Sequence, residues 1–144
     1  LPLLKPPFGS LVAIDMNTGE HRWRIPVGRS SAFPAIAQLG IREQLGLPLR
    51  SWALVTKTVL VVVQMGYYGS PRLLAGSNRR VNDLANLDPH LWVYDKATGE
   101  MLAEVPLPAN ATGSPISYMS GGKQYIVFPV AGGPLVAELI AVAR

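Results

Sequence analysis

Few residues of this sequence have the types and spacing that chemistry requires. Asp88 and His90 are the two candidates, and an imidazole can move protons because it changes its charge near neutral pH. On this pattern His90 is a candidate proton shuttle, although a single His in a strand is more often a packed or rim side chain. Asp88 precedes a proline, and Asp–Pro commonly starts a surface turn. Both residues therefore keep two interpretations.

Other reactive groupings are absent from the sequence or have a local explanation. The chain contains no Cys, which excludes disulfides and Cys-ligated metals. Asp15 and Asp95 look like a carboxylate pair, but each begins an Asp-x-x-Thr-Gly-Glu turn, where its carboxylate can accept backbone N–H groups. Asn110-Ala-Thr112 matches a glycosylation acceptor, and a chance match explains it better. The sequence offers no Ser/His/Asp, metal-ligand or phosphate-loop constellation.

The composition predicts an all-β fold. The 144 residues are 49% hydrophobic and 15% charged, with 14 Gly and 13 Pro, which is typical of short buried strands joined by tight turns. The net charge of +4 comes from scattered Lys and Arg, which indicates a solvated surface and no nucleic-acid partner. The apolar stretch 126–142 contains Pro129, a Gly-Gly-Pro sequence and Glu138, so it predicts two strands around a turn and not a membrane-spanning helix.

One unit occurs twice in the chain. Residues 11–20 and 91–100 each read as an apolar strand followed by Asp-x-x-Thr-Gly-Glu. The Asp and Thr side chains can bond nearby backbone N–H groups, and Gly supplies the positive φ that closes the turn. Each copy is therefore predicted to be a hairpin, and His21, directly after the first turn, is expected to be structural.

The other strands complete a pattern of four. A first sheet ends at about Pro26. A complete four-stranded sheet follows, with strands near 51–55, 59–63, 91–95 and 101–105, and three strands of another sheet fall within 114–143. Repeated four-stranded antiparallel sheets are the blades of a β-propeller. Connections alternate between the two ends of an up-and-down blade. The long connections 27–50 and 64–90 therefore lie at one end of the sheet, here called the insertion end. The tight turns at 56–58 and 96–99 lie at the other end, here called the turn end. Short helices are expected at 38–46 and near 79–87, and the insertion end is the expected functional face.

Several of these motifs resemble those of the quinoprotein dehydrogenases. Ala13-x-Asp15-x-x-Thr18-Gly19-x-x-x-Trp23 is similar to the tryptophan-docking motif of that family, in which the Trp of one blade packs against the next blade. Further segments resemble the closing region of the glucose-dehydrogenase-like branch, namely Tyr94–Glu100, Glu104–Pro108, Thr112–Pro115, Tyr118 and Gly122–Val127. The second copy departs from the docking motif, since Ala103 stands where the Trp is expected.

The resemblance implies a partial β-propeller of four-stranded antiparallel sheets. Residues 1–144 would be a C-terminal fragment with about two to three blades of an eight-bladed quinoprotein propeller. Residues 1–26 would end one blade, 51–105 would form a full blade and 114–143 would supply three strands of the closing blade, with the remaining blades upstream. Trp23 is then expected to be largely buried against the following blade, with its indole N–H on a backbone carbonyl. Trp52 and Trp92 are expected in the core or between blades.

The resemblance also implies an enzyme that uses pyrroloquinoline quinone (PQQ). Such an enzyme would oxidise a sugar (glucose-like) or an alcohol by hydride transfer to PQQ, which lies on the propeller axis beside a Ca²⁺ ion. The general-base Asp and the Ca²⁺ ligands are expected outside these residues, so the fragment alone is expected to be inactive. Asp88 matches an Asp that family members carry close to the quinone, and it is the one expected cofactor-binding residue.

Partners and location follow from the same resemblance. The expected electron acceptor is a membrane quinone or a cytochrome, and the expected location is the periplasm, with membrane association through a region N-terminal to these residues. A second interpretation stays open, that of a non-catalytic propeller scaffold of the outer-membrane assembly type, which carries similar docking repeats. The two long connections and Asp88 favour the enzyme, because scaffold propellers have shorter and more regular loops.

Overall fold

The computed structural model of the chain describes residues 5–28, 45–46, 50–65, 89–132 and 135–143. The regular elements within these ranges are all strands: β1 (Ser10–Ile14), β2 (His21–Pro26), β3 (Ser51–Val55), β4 (Val59–Gln64), β5 (His90–Asp95), β6 (Met101–Pro106), β7 (Ile116–Ser120), β8 (Lys123–Gly132) and β9 (Leu135–Ala143). The all-β expectation is confirmed. The helices expected at 38–46 and 79–87 lie outside the described ranges, except for residues 45 and 46. The described ranges contain no helix of the length and apolarity needed to span a membrane.

The strands form three antiparallel sheets, with the orders β1-β2, β3-β4-β5-β6 and β7-β8-β9. β4 pairs with β3 on one side and with β5 on the other, as predicted for an up-and-down blade. The strand order of a complete four-stranded sheet is therefore confirmed. The two strands predicted around the Gly-Gly-Pro turn are also present, as β8 and β9. The position of the three sheets within a complete propeller stays a prediction.

The central strands of the second sheet, β4 and β5, are buried on both of their faces, which explains the unbroken apolar run of β4. On one face Leu60 and Val62 join Trp92 and Tyr94 in a cluster against the first sheet. On the other face Val61 and Val63 belong to a second cluster, which reaches Phe128 and Val130 of the third sheet. A strand covered on both sides has no polar face to present, so hydrophobic residues replace the usual alternation.

The second and third sheets are joined at the insertion end by the segment after β6. Ala111 forms a parallel bridge with Met65 and an antiparallel bridge with Val130. Its backbone N–H bonds the carbonyl of Gln64 at 2.9 Å, and the N–H of Ala131 bonds the carbonyl of Asn110 at 3.1 Å. These bonds fix the insertion ends of the two sheets side by side.

Candidate functional site

The two repeated turns use their Asp side chains as local hydrogen-bond acceptors. Asp95 Oδ1 accepts the backbone N–H groups of Ala97 at 2.8 Å and Thr98 at 2.9 Å. In the first copy Asp15 Oδ1 accepts the N–H of Asn17 at 2.9 Å, and Oδ2 is paired with the Arg22 guanidinium. These bonds lower the pKa of both carboxyls, chiefly through Arg22 at Asp15 and through the Thr98 N–H at Asp95. Each Asp therefore belongs to its own turn, as predicted, and not to a catalytic pair.

Trp23 docks onto the second copy of the turn. Its indole N–H donates to the Lys96 carbonyl at 3.1 Å, from the first sheet to the second. The turn makes room for the indole through Gly99, where an added Cβ would lie 2.8 Å from Cδ2 of Trp23. The predicted backbone acceptor is thus present. Trp23 is half-buried, however, and not largely buried as expected, because the turn that receives it lies at the rim of the sheet.

Ala103 leaves a cleft at the corresponding place between the second and third sheets. The cleft has a volume of about 530 Å³, and Val93, Val105 and Ile126 lie in its apolar walls. Ala103 itself is exposed. The two copies therefore pack differently, as predicted: Trp23 of the first copy docks onto the second sheet, whereas the cleft beside Ala103 lies open between the second and third sheets.

The buried polar residues of the described chain lie at the insertion end. They are Gln64 at the end of β4, His90 at the start of β5 and Asn110 after β6. Three buried side-chain atoms have no hydrogen-bond partner within the described ranges: Trp52 Nε1 and Asn110 Oδ1 at this end, and Tyr94 Oη near the turn end. Asn110 is only 4% exposed, so its glycosylation motif is not available to an enzyme at the surface. Because buried polar atoms usually find partners, this concentration favours the insertion end as the functional face.

His90 forms a compact group with two neighbours at this end. Its imidazole is 4% exposed and stacks on Trp92, with ring centres 5.9 Å apart and planes at 21°. The Trp92 indole N–H donates to Glu104 Oε1 at 2.9 Å, and the same oxygen lies 4.0 Å from His90 Nε2. The burial confirms the packed interpretation of His90. Desolvation, and then the nearby Glu104 charge, raise the pKa of Tyr94 on the same face to about 12.

The other predicted residues fall outside the site or outside the described ranges. Asp88, the one expected cofactor-binding residue, lies outside those ranges, directly before Pro89. His21 is exposed at the start of β2, away from the insertion end. The described residues contain no group of three or more His, Asp or Glu that could hold a metal ion.

Comparison with known proteins identifies the family. Residues 1–126 match the PQQ glucose/ethanol/alcohol dehydrogenase β-propeller domain. The chain belongs to this family. The antiparallel sheets of the chain agree with a β-propeller domain, and the predicted resemblance to the quinoprotein dehydrogenases is confirmed. No solved structure matches the chain.

The curated relatives are quinoprotein dehydrogenases of bacteria. The chain is 30% identical over 135 residues to the quinate/shikimate dehydrogenase (quinone) of Acinetobacter baylyi, covering 92% of this chain and 14% of that protein. It is 26% identical over 133 residues to the quinoprotein glucose dehydrogenase of Escherichia coli, again with 92% and 14% covered. It is 26% identical over 131 residues to the glycerol dehydrogenase large subunit of Gluconobacter thailandicus, covering 90% of this chain and 15% of that protein. The chain thus spans about one seventh of the length of these relatives.

The sequence patterns do not predict Glu104 or Gln64 as residues of this end. The signal for Glu104 is the register of the hairpin, which places it opposite Trp92 across β5 and β6. The same register in the first copy places Arg24 opposite Val12, so the partly buried carboxylate is specific to the second copy. Gln64 offers no comparable signal, because it simply ends an apolar strand.

Proposed function

We propose that the chain is part of a PQQ-dependent dehydrogenase that oxidises a hydroxyl group of a sugar or an alcohol. The observation that carries this proposal is the match of residues 1–126 to the PQQ propeller family. The names of the relatives cite quinate, shikimate, glucose and glycerol as substrates. These compounds all carry several hydroxyl groups, so the proposed substrate is a polyhydroxylated compound, with glucose and quinate as the first candidates.

The donors and acceptors at the insertion end fit a ligand such as PQQ in part. PQQ combines a quinone with carboxylate groups, and it accepts a hydride from the substrate when it is bound. Arg50 is exposed directly before β3, and a guanidinium at this end can pair with a carboxylate. The orphaned Trp52 N–H is a donor, and the orphaned Asn110 oxygen is an acceptor. These atoms suit a polar ligand, whereas the turn end offers backbone turns, an apolar cleft and one unpaired hydroxyl, that of Tyr94.

Asp88 is proposed as the cofactor-binding residue of this chain. Its position supports the proposal, since it directly precedes Pro89 and the buried His90, where β5 begins at the insertion end. A carboxylate there would orient the cofactor through hydrogen bonds. The Ca²⁺ ligands and the general base are proposed to come from other parts of the protein, as in the quinoprotein dehydrogenases that the chain resembles.

Further blades are proposed to cover the outer face of the third sheet. Cross-strand pairing places Ile116 beside Val127, and Tyr118 beside Tyr125, on the face that points away from the second sheet. Ile116, Tyr118 and Leu139 are exposed there, at 59%, 45% and 74%. A contiguous apolar face of this kind is normally buried against a partner, and a neighbouring blade supplies that partner in a propeller. The location is proposed to be the periplasm, with a membrane quinone or a cytochrome as the electron acceptor.

The test uses the full-length protein that carries these residues. The apoprotein is loaded with PQQ and Ca²⁺, and dye reduction is followed with glucose, quinate and glycerol as separate substrates. We expect reduction with at least one of them, and we expect Asp88→Asn to weaken PQQ binding by about 10-fold or more. Asp15→Asn is the matched control, because Asp15 serves the first turn, and it should leave PQQ binding unchanged. Dye reduction that does not depend on PQQ would contradict the proposal.

A further inference from the structure

The cleft beside Ala103 is long and has apolar walls. These walls contain branched side chains of five strands, namely Val61, Val93, Val105, Ile126 and Val142. Along β5 the lining extends from Leu91 to the level of Val59, which pairs with Asp95, so it follows four residues of strand, or about 13 Å. The volume of about 530 Å³ lies within the range of small-molecule sites, about 300–1,000 Å³. The cleft therefore suits an extended apolar group.

The polar residues of the lining all lie at the turn end. β8 runs from this end towards Val130, which bridges to Ala111 at the insertion end, so its first residues face the same end as the β3–β4 turn. The polar lining residues belong to these two places, and they are Thr56, Thr58 and Gln124. The other described lining residues are apolar. The cleft thus has a polar mouth and an apolar interior.

Lysines surround this mouth. Lys57 and Lys123 are exposed and directly adjoin the polar lining residues in the sequence. Lys96 Nζ donates to the Thr56 carbonyl at 3.1 Å. The Asp95 carboxylate is held by the N–H groups of its own turn, and none of the described lining residues is charged. An anionic group at the mouth would therefore meet several cations and no carboxylate of the lining.

We propose that the cleft binds a single-chain amphiphile with an anionic head group, of which a fatty acid is the simplest. The alkyl chain lies against the apolar walls and is removed from water, and the carboxylate lies at the mouth beside Lys57 and Lys123. A sugar or PQQ is a poor fit, because the interior offers no hydrogen-bonding side chain among the described residues. The site lies at the turn end, opposite the insertion end, so this inference is independent of the proposed function.

The test is a titration of the delipidated full-length protein with laurate, below the concentration at which laurate forms micelles. Calorimetry gives the Kd and the number of sites. We expect one laurate per chain, and we expect shorter fatty acids to bind more weakly by about 4-fold for each CH₂ that leaves the walls. Ala103→Trp fills part of the cleft and should raise the Kd for laurate by about 10-fold or more. Ala103→Leu should give a smaller rise, and it tests the site even if the Trp variant fails to fold.

Controls separate occupancy of the cleft from other effects. Met16→Trp places the same indole in the first turn, at a residue that is 91% exposed and outside the cleft, and it should leave the Kd for laurate unchanged. The double variant Lys57→Gln, Lys123→Gln should weaken laurate binding by about 5-fold at low salt and leave dodecanol binding unchanged. The thermal midpoint and the Kd for PQQ, measured without laurate, report whether each variant is folded.

Several outcomes would overturn the inference. They are an absence of saturable laurate binding to the parent protein, and an unchanged Kd for laurate in both Ala103 variants. Binding to vesicles that contain phosphatidylglycerol, without binding of laurate, would replace the fatty-acid site with a membrane surface. Loss of the difference between laurate and dodecanol would overturn the anionic head group. Failure of the parent protein to bind PQQ would contradict the proposed function and leave the laurate result unaffected.

Discussion

The docking of Trp23 onto the second turn makes a quantitative prediction about two glycines. Gly19 and Gly99 occupy the same position in the two repeats and have nearly the same backbone conformation, with φ of +75° and +77°. An added Cβ at Gly19 would meet nothing within 4 Å, whereas at Gly99 it would lie 2.8 Å from Cδ2 of Trp23. Gly19→Ala therefore isolates the backbone cost, and Gly99→Ala adds the cost of disturbing the docked indole.

The magnitudes follow from these contacts. An Ala in the left-handed region costs about 1–2 kcal/mol, and this is the whole expected effect of Gly19→Ala. Overpacking of a well-filled contact costs about 1–3 kcal/mol more, so Gly99→Ala should destabilise the protein by about 2–5 kcal/mol. Backbone strain is common to both variants and cancels in their difference.

The assay is denaturant unfolding of both full-length variants under identical conditions, with the midpoint and slope compared to the parent protein. The extra cost of Gly99→Ala should disappear in a Trp23→Ala background, since the indole that the new methyl group strikes is then absent. Equal destabilisation by the two glycine substitutions would refute the docking geometry. An extra cost that persists without Trp23 would refute its attribution to the indole.

Three further predictions concern the same interfaces. Trp23→Ala should destabilise the full-length protein by about 2–3 kcal/mol on denaturant titration, below the range of about 3–5 kcal/mol for fully buried aromatic residues, because Trp23 is half-buried. A change below about 1 kcal/mol would mean that Trp23 is not an anchor. The folded-state pKa values of Asp15 and Asp95 are lowered below the unfolded value of about 3.9. The stabilisation from these two carboxylates should therefore be present above about pH 4 and be lost as the pH falls through the lowered values. The unfolding midpoint of the parent protein should fall as the pH is lowered into this range. In Asp15→Asn and Asp95→Asn the midpoint should fall less steeply than in the parent protein. Ala103→Trp should fill part of the cleft of about 530 Å³ between the second and third sheets. The thermal midpoint should rise by an amount equivalent to about 0.5–2 kcal/mol. A lowered midpoint would show that a Trp at this position does not dock as Trp23 docks between the first and second sheets.

The parts of the fold that local chemistry determines could be predicted from the sequence. The two Asp-x-x-Thr-Gly-Glu turns form because the Asp carboxylate bonds the next backbone N–H groups, and these interactions lie within a few residues. The order of β3 to β6 follows from short apolar runs and tight turns. The exposure of Trp23 was harder to predict, because it depends on how far the first sheet overlaps the rim of the second.

The polar group at the insertion end depends on contacts that lie far apart in the sequence. Trp92 meets Glu104 across a hairpin, and Asn110 is buried because Ala111 bridges β4 and β8. Neither contact has a signature within one strand. Asp88 could be proposed from its resemblance to a family motif, but its contacts lie outside the described ranges, so its role stays a prediction.

The most direct test of the central claim is equilibrium binding of PQQ to the full-length protein that carries these residues. The apoprotein is titrated with PQQ in the presence of Ca²⁺, and bound and free cofactor are separated by dialysis and measured by absorbance. A PQQ enzyme predicts saturable binding of one PQQ per chain, weakened by Asp88→Asn and unaffected by Asp15→Asn. A folded protein that binds no PQQ at any concentration tested would contradict the account and favour a propeller with a purely structural role.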